Sequence, residues 1–139
     1  MLLNFQKIIK DCAKENINSI FNNLLKYSKS KKIVVINFHR ISDIGNNLLG
    51  TKISKNFFEN YINYLNNNFN IIKPLDFLKN NIYFNKREKI KILITFDDGY
   101  YDNYKIAFPI LKKLNILPIF FICPYYISSN KKIWDEDLV

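Results

Sequence analysis

The chain has 139 residues, 48% of them hydrophobic and 16% aromatic, with only three Gly and four Pro. That is enough for one domain with a real core and too little for two, and it excludes a disordered or collagen-like chain. The net charge of +9, from 21 basic and 12 acidic residues, admits an acidic partner. Its only arginines, Arg40 and Arg87, argue against readout of nucleic acid through guanidinium forks.

Residues 1–32 hold seven Lys (7, 10, 14, 26, 29, 31 and 32) against Asp11 and Glu15. Within them, Phe5, Ile8, Ile9, Cys12, Ile20, Phe21, Leu24 and Leu25 recur mostly at helical spacing. The spacing predicts a basic amphipathic helix over 2–28. It can pack on the domain, or lie on an anionic membrane surface. Residues 1–9 offer too short an apolar stretch for a secretory signal, and no run approaches a membrane span. The expectation is a chain that is cytoplasmic or peripheral to the inner face of the membrane. Cys12 and Cys123 form no metal or redox spacing, and two such cysteines fit reduced thiols.

Ile33-Val34-Val35-Ile36 is a short β-branched run and reads as a buried strand, with Asn37-Phe38-His39-Arg40 at its C-terminal end. Residues 41–53 read as a loop. Ser54 is a candidate N-cap for a helix over 55–68, in which Phe57, Phe58, Tyr61, Ile62 and Leu65 share a face. Ile71-Ile72 reads as a short strand. Pro74 suits the first turn of a short helix reaching Lys79. Residues 80–89 read as loop and 90–95 as a second buried strand. Asp102 or Asn103 can cap a helix over 104–114, kinked by Pro109. A third strand is expected over 117–123, with loop beyond it. Strand, helix, strand in this order implies α/β structure with a parallel βαβ unit.

Two places can carry chemistry. Thr95-Phe96-Asp97-Asp98-Gly99 follows an apolar strand, and strand C-termini face the active site in parallel α/β folds. Neighbouring carboxylates repel, and are tolerable when one binds a cation and the other is hydrogen-bonded or acts as a base. The same residues also suit an ordinary strand-to-helix turn. His39, the chain's single histidine, also follows an apolar strand, where it can be catalytic or simply a hydrogen-bonded structural residue.

Residues 92–100, with Asp102-Asn103-Tyr104, Ala107, Pro109-Ile110-Leu111, Pro118 and Phe120-Phe121, resemble the first motif block of the polysaccharide deacetylase family. This is carbohydrate esterase family four, with its NodB homology domain. Asn37-Phe38-His39-Arg40-Ile41 resembles the Tyr-His-Arg-Ile segment of one branch, with Asn37 in place of the aromatic, and Trp134-Asp135 resembles a Trp-rich segment. The resemblance spans about 33–137 and leaves 1–32 as an extension before a partial deacetylase domain over 33–139.

The resemblance implies the N-terminal part of an irregular (β/α) barrel and N-deacetylation of an N-acetylated cell-envelope polysaccharide. It makes Asp97 the general base, Asp98 a ligand to a divalent metal, usually zinc, and His39 the acid that protonates the leaving amine. The family's metal site also takes histidines from a downstream His-x-x-x-His motif. No histidine follows His39, nor is there a counterpart of the family's base-orienting Arg. The reading is therefore a truncated or split deacetylase, inactive alone, whose missing histidines a complementing chain would supply. An open sheet with unpaired edges follows from it. The alternatives are a non-catalytic glycan-binding module and a basic protein of the membrane surface.

Overall fold

The computed structural model describes residues 31–43, 51–88 and 90–129. The helix expected over 2–28, the Trp134-Asp135 segment and residues 44–50 of the expected 41–53 loop lie outside them. Strand β1 spans Lys32–Phe38 and pairs in parallel with β5, Ile90–Phe96, along its whole length. Between them in the chain come two two-residue strands, β2 (Arg40–Ile41) and β3 (Lys52–Ile53), which pair with each other. Helix α1 follows over Lys55–Asn68, then β4 over Asn70–Ile71 and the short α2 over Pro74–Leu78. Both β4 and β6 (Ile119–Phe120) pair in parallel with β5, giving a four-stranded sheet. The parallel α/β class is thus present, as an open sheet among the described residues.

The strand parity explains the core. Val34, Ile36 and Phe38 stand opposite Ile92, Ile94 and Phe96 in the register. With Ile90 they turn to one face and pack against α1 and the helix after β5, where Phe58, Ile62, Leu65, Ala107 and Leu111 are fully buried. Four phenyl rings meet at the C-terminal end of this layer. Phe38 meets Phe58 edge-on at 5.2 Å, and Phe96 lies 5.4 Å from Phe38 and 5.0 Å from Phe120. Such pairs add to the gain from area burial alone.

Ser54 caps α1 as expected, its hydroxyl oxygen accepting the Phe57 N–H at 3.1 Å. Three other expectations change. The third strand shrinks from 117–123 to Ile119–Phe120, although Phe121 N–H still reaches the Phe96 carbonyl at 2.8 Å. Pro118 cannot donate to a ladder, and Pro124 opens a short helix, α4, over Pro124–Ser128 where loop was expected. The helix expected over 104–114 begins as a π segment, Asn103–Ala107, and becomes the α-helix α3 over Phe108–Lys113. The widened turn meets Pro109, whose ring crowds a standard i−4 carbonyl and which has no N–H to give. No helix among the described residues is long and apolar enough to cross a membrane.

On the opposite face of β5, Lys91 is buried, 5% exposed. Its ammonium lies 3.0 Å from Glu88 Oε1 and 5.4 Å from the centroid of the Phe84 ring. Burial pushes the Glu88 carboxyl up. The Lys91 hydrogen bond, the Asn85 N–H, the Lys91 charge and the Asn70 side chain outweigh it and hold the group below its ordinary value of 4.5. Because the folded value is the lower one, this ion pair stabilises the fold fully above pH 4.5. The contribution is lost as pH falls through the depressed value. Glu88→Gln is therefore expected to lower stability at neutral pH and to match the parent in strong acid, as read by urea unfolding across pH. Phe58→Ala removes a fully buried ring from the aromatic cluster. It is expected to cost about 3–5 kcal/mol in the same assay.

Candidate active site

The sheet register builds the site. Asn37-Phe38-His39 ends β1 and Thr95-Phe96-Asp97 ends β5, and both triplets read polar, Phe, titratable. Asn37 pairs with Thr95 and Phe38 with Phe96. The next rung is the hydrogen bond from Asp97 N–H to the Phe38 carbonyl, 2.9 Å. With the phenyl rings locked into the core, the residues after them leave the strands side by side. His39 Nε2 lies 3.7 Å from Asp97 Oδ2, and both side chains are a little over one-third exposed.

The polar residues of the two triplets share the face away from the core. Thr95 Oγ1 donates to Asn37 Oδ1 at 2.7 Å, and Asn37 Nδ2 donates to Asp97 Oδ2 at 2.7 Å. The polarity of this chain follows from the carboxylate, which only accepts, so the Asn37 NH2 faces it and the Asn37 oxygen faces the Thr95 hydroxyl. A hydrogen bond from an amide to a carboxylate is charge-assisted and among the stronger kinds. Oδ2 is thereby shared between the amide and the imidazole, and Oδ1 is the oxygen that Asn37 does not engage. At 3.7 Å the imidazole contact is an ion pair when His39 is protonated, and too long for a direct hydrogen bond.

The chain turns immediately after Asp97. Gly99 N–H bonds back to the Asp97 carbonyl at 2.9 Å, closing a three-residue turn around Asp98. Asp98 has φ 69° and Gly99 φ 75°. A left-handed non-glycine residue of this kind costs on the order of 1–3 kcal/mol, and such strain gathers at functional sites. His39 and Asp97 thus meet at the strand tips, Asp98 follows Asp97 in the turn, and all three are of intermediate exposure.

Sequence reasoning missed Asn37 and misread Asp102. Asn37 stood out only as a departure from an aromatic, though the repeated polar-Phe pattern of the two strand ends was a signal that they would align. Asp102 makes no side-chain cap. Its carboxylate reaches Arg40 Nε at 3.0 Å and the Ile41 N–H at 3.3 Å.

These residues do not by themselves fit a catalytic zinc, which commonly takes three protein ligands. Among the described residues no three His, Cys, Asp or Glu converge as a metal-holding group, and the whole chain has one histidine.

At Gly99 a Cβ would sit 3.1 Å from Ile122 Cγ2, on a backbone that L side chains rarely adopt. Gly99→Ala is expected to destabilise the fold by about 1–2 kcal/mol from backbone handedness alone. It should also disturb the amide signals of 97–99 in an NMR spectrum before those of α1.

The polysaccharide deacetylase family profile matches residues 84–137. The chain is 30% identical over 115 residues to YxkH of Bacillus subtilis, a protein named for polysaccharide deacetylase, covering 82% of this chain and 40% of that one. The structure of IcaB from Ammonifex degensii superposes with a TM-score of 0.55 at 30% identity, over 67% of this chain and 39% of the other. A de-N-acetylase from Aggregatibacter actinomycetemcomitans superposes at 0.59 and 22% identity, over 73% and 42%, and shares the fold. The chain therefore spans about 40% of the length of these relatives. Alike in the motif block at the tip of β5, in sequence along most of its own length and in backbone, the chain carries a partial match to the polysaccharide deacetylase (NodB-like) domain, over its N-terminal portion.

Proposed function

We propose that this chain supplies the proton-handling part of a metal-dependent N-deacetylase acting on an N-acetylated cell-envelope polysaccharide. The metal ligands beyond Asp98 would come from residues outside the chain. The observation that carries this reading is Asp97 Oδ2, held by Asn37 at 2.7 Å and faced by His39 at 3.7 Å. A base and an acid within one water's reach of each other are what amide hydrolysis needs.

In this reading a water adds to the acetamide carbonyl carbon as Asp97 takes its proton. The carbon–nitrogen bond then breaks, and the nitrogen leaves as an amine after taking a proton from His39, because an amide anion is a very poor leaving group. Water and acetamide are consumed, and acetate and a free amino sugar are formed. Asn37 keeps the carboxylate aimed at the tip of the sheet throughout. Asp98 is the residue this reading gives to the metal, and one carboxylate is too few to hold it. Residues 33–139 form the partial catalytic unit in this proposal, and 1–32 a basic extension that would keep the protein at the inner face of the membrane.

The chain alone, with zinc, is expected to release no acetate from N-acetylglucosamine oligomers. Adding a segment that bears a His-x-x-x-His motif from a relative should restore release, and Asp97→Asn or His39→Gln should then lower it roughly 10²–10⁴-fold. Turnover by the chain alone that disappears in Asp97→Asn would overturn the incomplete-site part of the proposal. Restored turnover that is indifferent to both substitutions would overturn the roles given to them.

A further inference from the structure

His39 sits between two anchors. On its N-terminal side, Phe38 is buried in the aromatic cluster and its carbonyl accepts the Asp97 N–H at 2.9 Å. On its C-terminal side, a single carboxylate grips the next two residues. Asp102 Oδ2 accepts from Arg40 Nε at 3.0 Å, and Oδ1 accepts from the Ile41 N–H at 3.3 Å. The Arg40 guanidinium also lies 4.6 Å above the centroid of the buried Tyr100 ring. The pair is largely shielded, with side chains 23% and 11% exposed. Asp102 belongs to the segment that leaves the Asp97 turn, so the strand end carrying Asp97 also holds the strand end carrying His39.

We infer that Asp102, through Arg40 and the Ile41 amide, is a positioning residue that sets the His39 imidazole against Asp97. His39 lies one residue past β1 and outside any ladder rung of its own among the bonds that flank it. Its backbone is fixed from Phe38 and from Arg40–Ile41, where the Arg40 N–H bond to the Thr51 carbonyl at 3.1 Å and the buried Ile41 side chain hold the main chain, and the Asp102 contacts add the link to the segment that carries Asp97. A carboxylate that only stabilised the helix start would bond the helix N–H groups, and Asp102 makes no such cap. The purpose of this positioning rests on the deacetylase reading; the positioning itself is a statement about two side chains and stands or falls separately.

The chain's single histidine makes the test direct, because its ring Cε1–Hε1 signal is unambiguous in an NMR spectrum of the full chain. At one fixed pH, Asp97→Asn gives the displacement of that signal when the facing carboxylate is lost. Asp102→Ala and Arg40→Gln are each expected to move the signal in the direction that Asp97→Asn moves it and to sharpen it through faster ring motion, while the β2–β3 bonds keep the main chain in place. The amide signals of Ile36 and Leu93, deep in the sheet, should stay in place. Asp102→Asn, which keeps shape and acceptor oxygen but not charge, should move it less than Asp102→Ala. The double variant should move it no further than either single one, since both act through one contact. Should Asp102→Ala not fold, Arg40→Gln makes the same test with the carboxylate retained. A His39 signal unmoved by Asp102→Ala and Arg40→Gln, yet moved by Asp97→Asn, would overturn the positioning role and leave the deacetylase reading intact. A signal unmoved by all three would overturn both.

Discussion

One register decides this structure: the parallel pairing of β1 with β5 that sets Phe38 beside Phe96 and continues as the Asp97 N–H bond to the Phe38 carbonyl. Side chains alternate along a strand, so a slip of one residue would send each phenyl ring to the polar face and each polar residue into the core. The aromatic cluster under the strand tips makes that slip costly. The same cluster therefore does two jobs. It fills the end of the core, and it forces the residues that follow each ring to emerge together.

Above that floor, the site is organised around one oxygen. The Thr95 hydroxyl, the Asn37 amide and the Asp97 carboxylate form a chain of bonds with a single direction, ending on a negative group. His39 approaches the same oxygen from the side. The turn beyond Asp97 stores strain at Asp98, and the surrounding bonds from Gly99 and the β5 ladder hold it there. A carboxylate that is oriented, partly open to water and next to an imidazole is suited to moving protons, which is half of what amide hydrolysis requires.

Much of this was legible from residue patterns, and the failures have physical causes. The β-branched run of β1, the Ser54 cap and the apolar face of α1 are local signals, and local bonding fixes them. The motif draws notice to Asp97 and Asp98, and its place after a strand to His39; of these, the structure brings Asp97 and His39 to 3.7 Å. Asn37 does not stand out in that way, because its bond to the carboxylate comes from a neighbour sixty positions away in the chain. Asp102 was read as a cap for the same reason: a capping carboxylate and one that reaches another strand look alike until the strand's position is known. The buried Lys91 followed from neither periodicity nor composition. A lysine in an apolar strand is tolerated only because Glu88 and Phe84 come back across that face. The shortening of β6 reflects Pro118 and Pro124, which limit pairing on either side of two ladder residues.

The flank of the sheet at β6 has a consequence for how the chain behaves in bulk. Leu117, Phe121 and Ile122 are each more than half exposed there, beside a strand that bonds a neighbour on one side only among the described residues. A half-bonded strand dressed in apolar groups is a template for another strand. Encounter between two copies is second order, so its rate climbs with the square of concentration while folding of each copy does not. Dilution, or a ligand that caps that flank, should then prolong the life of the monomer more effectively than any substitution that deepens its core.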